Sequence, residues 1–144
     1  QREGQNLQQD ISLRMNLILQ LLEQITPFEE GRINTVRSKL INSLKALGGN
    51  IETDKNRFEQ ELIYYLEKLD ITEEKVRLAE HCRYFLSMLN DENNNGKKLG
   101  FLMQEIGREI NTIGSKANDA DIQRKVVEMK DEAEKIKEQL SNIL

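Results

Sequence analysis

Residues 120–143 read ADIQRKVVEMKDEAEKIKEQLSNI, and their apolar side chains recur at alternating spacings of four and three residues. That alternation places them along one face of an α-helix, as in the seam of a coiled coil, with Lys and Glu around them. The seam consists of Ile122, Val126, Met129, Ala133, Ile136, Leu140 and Ile143. Such a seam has to be covered, so this segment predicts helix-on-helix packing, either within the chain or with another subunit.

Helical spacing also dominates the first 49 residues, on both sides of Pro27. Thr26 offers an N-cap directly before the proline, and Glu29 completes a capping box. These residues predict either two helices that meet at Pro27 or one long helix that is kinked there. The glycine pair at residues 48–49 predicts the end of the segment.

Three further helical patterns follow within residues 54–116. Asp54 is the expected N-cap of the first, while Asp70 and Glu73 have the spacing of an N-cap and an N3 residue for the second. A turn-prone stretch at residues 90–96 separates the second pattern from the third. No strand pattern of comparable strength occurs, so we predict an all-α fold.

The predicted architecture consists of long antiparallel helical hairpins packed with a small helical bundle. We expect a single helical domain over residues 1–144, with an N-terminal long helix or kinked helix pair (1–49), a middle segment (54–116) and a C-terminal heptad helix (119–144). Because Gln1 already lies in a helical pattern, we also expect the chain to be part of a longer protein.

The composition argues against several classes of protein. Lys and Arg number 21 against 25 Asp and Glu, and the resulting net charge of −4 argues against a dedicated phosphate-binding module. One cysteine, Cys82, excludes an internal disulfide framework, and a single histidine beside it argues against a closed Cys/His zinc site. No apolar run approaches the roughly 20 residues of a membrane span. The common nucleotide-binding and catalytic motifs are missing from the sequence.

Glu74, Arg77 and His81 stand at positions i, i+3 and i+7, so they share one face of the helix predicted before residue 90. The carboxylate and the imidazole could bind a divalent cation there, and Arg77 could hold a phosphate. The alternative is a solvated face on which Glu74 pairs with Arg77. From these residues alone, the solvated face is the favoured interpretation.

Residues 97–116 carry two neighbouring polar strips beside their apolar face. The first strip consists of Gln104, Arg108, Asn111 and Ser115, and the second of Glu105, Glu109, Thr112 and Lys116. Exposed helix positions usually hold Lys and Glu, so the first strip indicates either a buried polar network between helices or a ligand. Glu105 and Glu109 also have the spacing of a carboxylate pair that shares a divalent cation, although such pairs are common on charged helices.

The run QEIGREINTIGSK at residues 104–116 resembles the YicC-like endoribonucleases, in which the corresponding run reads close to QEMNREANTIGSK. The likeness continues upstream in GKKL (96–99) and in the pairs and triplets DI, EE and VRL within residues 70–78, followed by His81. It spans essentially the whole chain, as the C-terminal half of that family. Gly107 stands where the family has Asn, and Gly100 replaces a typical Asp, which puts a role for a carboxylate at that point in doubt.

The resemblance implies a cytoplasmic bacterial enzyme that cleaves RNA internally with a divalent metal, Mn²⁺ or Mg²⁺. It also implies a ring-like homo-oligomer and no association with a membrane. On that basis we expect Glu105 and Glu109, together with His81 or Glu74, to hold the metal. The expected catalytic residues are Glu105, Glu109 and His81. The expected RNA-binding residues are Arg77, Arg108 and Lys116 for phosphate, and Gln104, Asn111 and Ser115 for water or ribose.

The alternative hypothesis is a helical oligomerisation or partner-binding module without catalytic activity of its own. The acidic charge, the 5% aromatic content and the heptad seam favour it. A third hypothesis is that this chain is only the helical arm of an RNA-cleaving protein. A nuclease site predicts a positive groove along Arg77, Arg108 and Lys116 with converging carboxylates. A scaffold predicts that the same side chains are mutually bonded or scattered over separate faces.

Overall fold

The structure is a computed structural model that describes residues 2–46, 48, 55–91, 96–117 and 119–143. These residues form five helices and no strand, which confirms the all-α prediction. The helices are α1 (Arg2–Ala46), α2 (Lys55–Leu69), α3 (Thr72–Leu89), α4 (Gly96–Lys116) and α5 (Ala120–Ile143). No helix in this part of the chain is long and apolar enough to cross a membrane.

α1 runs without interruption through Pro27, so the chain forms one long helix rather than two. Its 45 residues correspond to a length of about 67 Å. Pro27 removes one backbone hydrogen bond, but fully buried Ile25 anchors the helix beside it. Thr26 and Glu29 lie inside the helix, and their side chains bind Lys75 Nζ of α3 at 2.8 and 3.0 Å. The predicted capping box is therefore wrong.

The N-terminal half of α1 forms an antiparallel four-helix bundle with α3, α4 and α5. Contacts between α1 and its two neighbours define the directions. Gln8 near the start of α1 donates to the carbonyl of Leu89 at the end of α3, and Arg14 binds Glu132 of α5 at 2.9 Å. Fully buried aliphatic side chains and Phe85 fill the space between the four helices. This bundle is the hydrophobic core of the chain.

The heptad seam of α5 is covered within the chain. Its members from Ile122 to Leu140 are all buried, and α5 packs on both α1 and α4. Asp119 caps the helix, because its Oδ1 accepts the backbone N–H of Ile122 at 3.0 Å. Of the two arrangements that the sequence allowed, the structure has the intramolecular one.

The C-terminal half of α1 pairs with α2 as an antiparallel hairpin, which we call the arm. On α2 only Leu62 is buried, whereas Ile63 and Tyr64 are exposed. Beyond the end of α1, Gly48 has a φ of 75° and donates its N–H to the carbonyl of Lys45 at 3.0 Å. A left-handed glycine at this position confirms the predicted helix stop. The arm and the bundle together give the predicted architecture.

The α2–α3 junction differs from its predicted form. α3 begins at Thr72, and its N-cap position is Ile71, which supplies no side-chain cap. Asp70 instead accepts the N–H and the hydroxyl of Thr72 through Oδ1, at 2.9 and 2.6 Å, and these hydrogen bonds lower the pKa of the Asp70 carboxyl. Asp70 therefore acts one residue earlier than a true N-cap, so the predicted pairing with Glu73 is wrong. The predicted N-cap Asp54 lies outside the described residues.

Candidate functional site between α3 and α4

The polar edges of α3 and α4 meet along one side of the bundle. The helices lie together because their apolar faces bury each other. The buried side chains include Leu78, Cys82 and Phe85 from α3, and Met103, Ile106 and Ile110 from α4. One polar strip of each helix is left at the edge of this interface, where the two strips face each other in antiparallel order.

Four of these polar side chains form an ion-pair network, which we call the α3–α4 network: Glu74, Arg77, Glu109 and Lys116. Arg77 Nε donates to Glu109 Oε1 at 3.0 Å, and Arg77 Nη2 lies 3.7 Å from Glu74 Oε1. Lys116 Nζ donates to the same Glu74 oxygen at 2.8 Å. The network thus ties the first two turns of α3 to the last two turns of α4.

The carboxylates of the network are buried and its cations are not. Glu74 and Glu109 are buried residues, whereas the Arg77 and Lys116 side chains retain 45% and 37% of their exposure. Burial alone would raise the pKa of Glu74, but its hydrogen bond from Lys116 prevails, so that pKa is lowered. The hydrogen bond to Glu109 raises the pKa of Arg77. Both shifts favour the charged forms of Glu74 and Arg77, and the cations of the network lie outermost.

The network also reaches the α2–α3 junction. Lys116 Nζ donates to the backbone carbonyl of Asp70 at 3.4 Å while it binds Glu74. The second carboxylate oxygen of Glu74, Oε2, is buried and has no hydrogen-bond partner among the described residues. A buried charged oxygen without a partner is costly, so this atom is a candidate position for a donor that the chain itself does not provide.

Glu105 and His81 continue the same edge one turn beyond Arg77 and Glu109. In an antiparallel pair, a step from Arg77 to His81 on α3 matches a step from Glu109 to Glu105 on α4. Glu105 is half-buried and lies 3.9 Å from Arg108 Nη1. Within the described ranges, no group of three or more His, Cys, Asp and Glu side chains could hold a metal ion.

The first polar strip of α4 lies in a separate open groove between α4 and α5. The groove is lined by Gln104, Gly107, Arg108, Asn111, Thr112, Ser115 and Lys137. Ser115 of this strip donates its hydroxyl to the carbonyl of Asn111, and Thr112 of the second strip donates to the carbonyl of Arg108, both at 3.0 Å, so these two hydroxyls are satisfied inside their own helix. Gln104, Arg108, Asn111 and Ser115 are exposed, so the strip is not a buried interhelical network.

The structure therefore brings together only part of the predicted site. Both strips of α4 exist, and one of them meets Glu74 and Arg77 as a site across α3 and α4 would require. The buried carboxylates converge on cations rather than on one another, as a scaffold would predict. Arg108 lies on the other strip, and the boundary residue Glu105 connects the two.

Sequence reasoning missed two residues of this region, Lys137 and Glu73. Lys137 enters the groove from α5, and Glu73 Oε2 lies 3.3 Å from Arg77 Nη1. The spacing of Glu73 and Arg77 at i and i+4 could have indicated their contact. No local pattern points to Lys137, because its place depends on how α5 packs against α4.

The sequence model of the family described as "Endoribonuclease YicC-like, C-terminal" matches residues 25–144. A protein of Clostridioides difficile named "Probable endoribonuclease YicC" is 39% identical over 142 residues, which cover 98% of this chain and 48% of that protein. A protein of the same name from Haemophilus influenzae is 32% identical over 142 residues, with 99% of this chain and 49% of that protein covered. The chain thus spans about half the length of the curated relatives that it matches.

Proposed function

The chain belongs to the YicC-like endoribonuclease family, and from that premise we propose that the intact protein cleaves RNA internally, with the α3–α4 edge forming part of its RNA-binding site. The observation that carries the proposal is the α3–α4 network. Two buried carboxylates on neighbouring helices hold two cations at the surface, in a fixed position and with their outer sides exposed. Such an arrangement suits the recognition of a phosphate group.

Arg77 is the principal phosphate ligand in this proposal. Glu109 occupies its Nε, and 45% of the Arg77 side chain remains exposed. Arg77 Nη2 lies 3.7 Å from Glu74 Oε1, and Nη1 lies 3.3 Å from Oε2 of Glu73, whose side chain is 83% exposed. An exposed pair of this kind contributes little, so an RNA phosphate can replace Glu73 and accept two parallel hydrogen bonds.

Glu74 and Glu109 act as positioning residues in this proposal. Each is buried and neutralised by a cation of the network, so a competing metal ion would have to displace Arg77 or Lys116. Holding these side chains in one geometry reduces the entropy that they lose when they bind phosphate. We therefore assign Glu74 and Glu109 to the support of Arg77 and Lys116 rather than to direct contact with RNA.

The proposed site also includes a divalent cation, and the residues concerned are Glu105 and His81. Mg²⁺ is commonly held by one or two carboxylates together with substrate phosphates. Glu105 fits that role, because it is half-buried, lies outside the network and, among the residues that the structure describes, is paired only with Arg108 at 3.9 Å. A cation bound there would supply an activated water and offset charge at the scissile phosphate. His81, one turn beyond Arg77, is the proposed group for proton transfer.

The groove between α4 and α5 extends the proposed RNA-binding surface. Arg108 and Lys137 would contact phosphates, and the amides of Gln104 and Asn111 would contact ribose hydroxyls together with Ser115. The groove adjoins the α3–α4 edge at Glu105, so one strand can follow both. We place this chemistry in the cytoplasm, as the family resemblance implies.

A homo-oligomer is part of the same proposal. The arm exposes Ile33, Ile63, Tyr64 and Tyr65, although an isolated two-helix hairpin buries little surface of its own. Contact with another subunit would cover these side chains. The alternative function is that of an oligomerisation module, with the arm as its main functional element. The cleavage experiment distinguishes this alternative from RNA cleavage.

Cleavage of a structured RNA by the full-length protein tests the proposed function. The wild type and the variants Glu105→Ala and His81→Ala are compared in Mn²⁺ and in EDTA, with Glu61→Ala on α2 as a control. We expect cleavage that requires the cation, is lost in both site variants and persists in the control. Cleavage that is equal in all four proteins would refute the site, and no cleavage by the wild type would favour the oligomerisation module.

A further inference from the structure

A cavity lies where the arm meets the bundle, and it is separate from the α3–α4 network. It has a volume of about 280 Å³ and is formed by α1, the end of α2 and the start of α3. Its apolar walls are Ile33, Val36, Leu66 and Ile71, and its polar lining consists of Glu29, Arg32, Glu67 and Asp70. The volume is close to the lower end of the range for small-molecule sites, about 300–1,000 Å³.

Arg32 is the unusual residue of this cavity. Only 9% of its surface is exposed, although arginine is rarely buried without full pairing. Its Nη2 donates to the carbonyl of Leu69, the last residue of α2, where a cation stabilises a helix C-terminus. Its Nη1 has no hydrogen-bond acceptor among the described residues. The contact with the end of α2 accounts for the position of Nη2. It does not account for the burial of Nη1.

The charges around Arg32 restrict the kind of ligand. Burial lowers the pKa of its guanidinium, while the carboxylates of Glu29, Asp119 and Asp70 oppose that effect. Glu29 is paired with Lys75 at 3.0 Å, but exposed Glu67 also lines the cavity. A phosphate would meet these carboxylates and be repelled. A neutral ligand is favoured, with an acceptor for Arg32, donors for the carboxylates and an apolar face for the walls formed by the aliphatic side chains.

Guanine has this pattern along a single edge. Its O6 is an acceptor, and the adjacent N1–H and N2 amino group are donors. Uracil and cytosine present a second acceptor at O2, which would face the carboxylates, and adenine lacks the carbonyl. Proteins recognise unstacked bases of single-stranded RNA in this way, by hydrogen bonds to the base edges and by apolar contacts with the base faces.

The cavity lies beside the proposed phosphate site. Asp70 lines it, and Lys116 of the α3–α4 network donates to the backbone carbonyl of the same residue at 3.4 Å. We propose that the cavity receives an unstacked guanine of the RNA whose phosphate is bound by Lys116 and Arg77. Arg32 Nη1 donates to O6, and Glu67 accepts from the N1–H and N2 amino group. This inference rests on the proposed RNA-binding function.

Binding of fluorescent oligouridines to the full-length protein tests the proposal. The oligonucleotides carry one central guanine, adenine or inosine, since inosine keeps O6 but lacks the N2 amino group. The proteins are the wild type, Arg32→Met, Glu67→Gln and, as a matched control, Arg37→Met at an exposed position of the same helix. Circular dichroism verifies that each variant is folded, and light scattering measures its self-association.

We expect the wild type to bind the guanine strand roughly tenfold more tightly than the adenine strand, with inosine between them. Arg32→Met and Glu67→Gln should lose this preference, and Arg37→Met should keep it. Equal binding of all three strands would overturn the guanine site and leave the RNA-binding function standing, whereas no binding of any strand would overturn both. Changed self-association in Arg32→Met without changed base preference would show that a protein carbonyl fills the cavity, which also overturns the proposal.

Discussion

Arg77 of α3 donates its Nε–H to Glu109 of α4 at 3.0 Å, and these two residues lie 32 positions apart in the sequence. The hydrogen bond fixes a partly exposed cation to a buried carboxylate. It gives Arg77 a defined orientation before any ligand arrives, and it connects two helices whose contact no local sequence pattern predicts.

Removing one partner should cost more stability than removing both. Arg77→Met leaves Glu109 buried without its nearest cation, whereas the double variant Arg77→Met/Glu109→Leu replaces both charges by apolar groups. We expect the midpoint of urea unfolding to fall most for Arg77→Met and to recover in the double variant. Additive effects of the two substitutions would contradict the coupling.

The pH dependence of stability should contain a contribution from Glu74. Because the folded chain lowers its pKa below the usual value of 4.5, the contribution is present above that value and is lost as the pH falls below it. We expect wild type to be more stable than Glu74→Gln at neutral pH, with a difference that shrinks on acidification. Urea unfolding across this range measures it, and a constant difference would argue against the ion pair with Lys116.

Two glycines of α4 should respond to alanine in opposite ways. A Cβ at Gly107 would lie 4.0 Å from Lys137 Nζ, whereas one at Gly114 would lie 3.1 Å from Val126 Cγ1. Gly107→Ala should therefore raise the free energy of unfolding by up to about 1 kcal/mol, since alanine is the better helix former. Gly114→Ala should gain nothing or lose stability, because the contact of α4 with α5 has to shift. Gly100→Ala, which meets no atom within 4 Å, is the control.

The intramolecular seam of α5 predicts a large effect at Met129. This side chain is fully buried, whereas Val127 on the opposite face is 62% exposed. Met129→Ala should cost about 2–5 kcal/mol of unfolding free energy, and Val127→Ala should stay within about 0.5 kcal/mol. If Met129→Ala instead changes only the oligomeric state, the seam is covered by another subunit.

The fold was predictable because apolar spacing is a local property. The heptad seam from Ile122 to Leu140 determined the buried face of α5, and the same reasoning located α3 and α4. At Thr26 and Pro27 the spacing left two arrangements open, two helices or one long kinked helix, because local rules favour a helix start there. There, packing of Ile25 and the binding of Lys75 to Thr26 keep one helix intact. Tertiary contacts outweighed capping propensity.

The candidate site was predictable only in its parts. The two strips of α4 and the row from Glu74 to His81 follow from helical periodicity alone. The contact of Glu74 with Lys116 joins residues 42 positions apart, and no local rule predicts it. Arg32 was missed for a related reason: an arginine on a charged helix indicates solvent, and only the end of α2 makes it a buried residue.

The salt dependence of RNA binding shows whether Arg77 and Lys116 contact RNA phosphates. The affinity of this chain for a single-stranded RNA is measured over a range of salt concentrations for wild type, Arg77→Gln, Lys116→Met and the control Arg57→Gln, whose side chain on α2 is 81% exposed. We expect weaker binding for the first two variants, with a slope of log affinity against log salt that is smaller in magnitude by about 0.7 for each lost phosphate contact. The control should match wild type. Slopes and affinities that are the same in all four folded proteins would contradict a phosphate-binding role for the α3–α4 network.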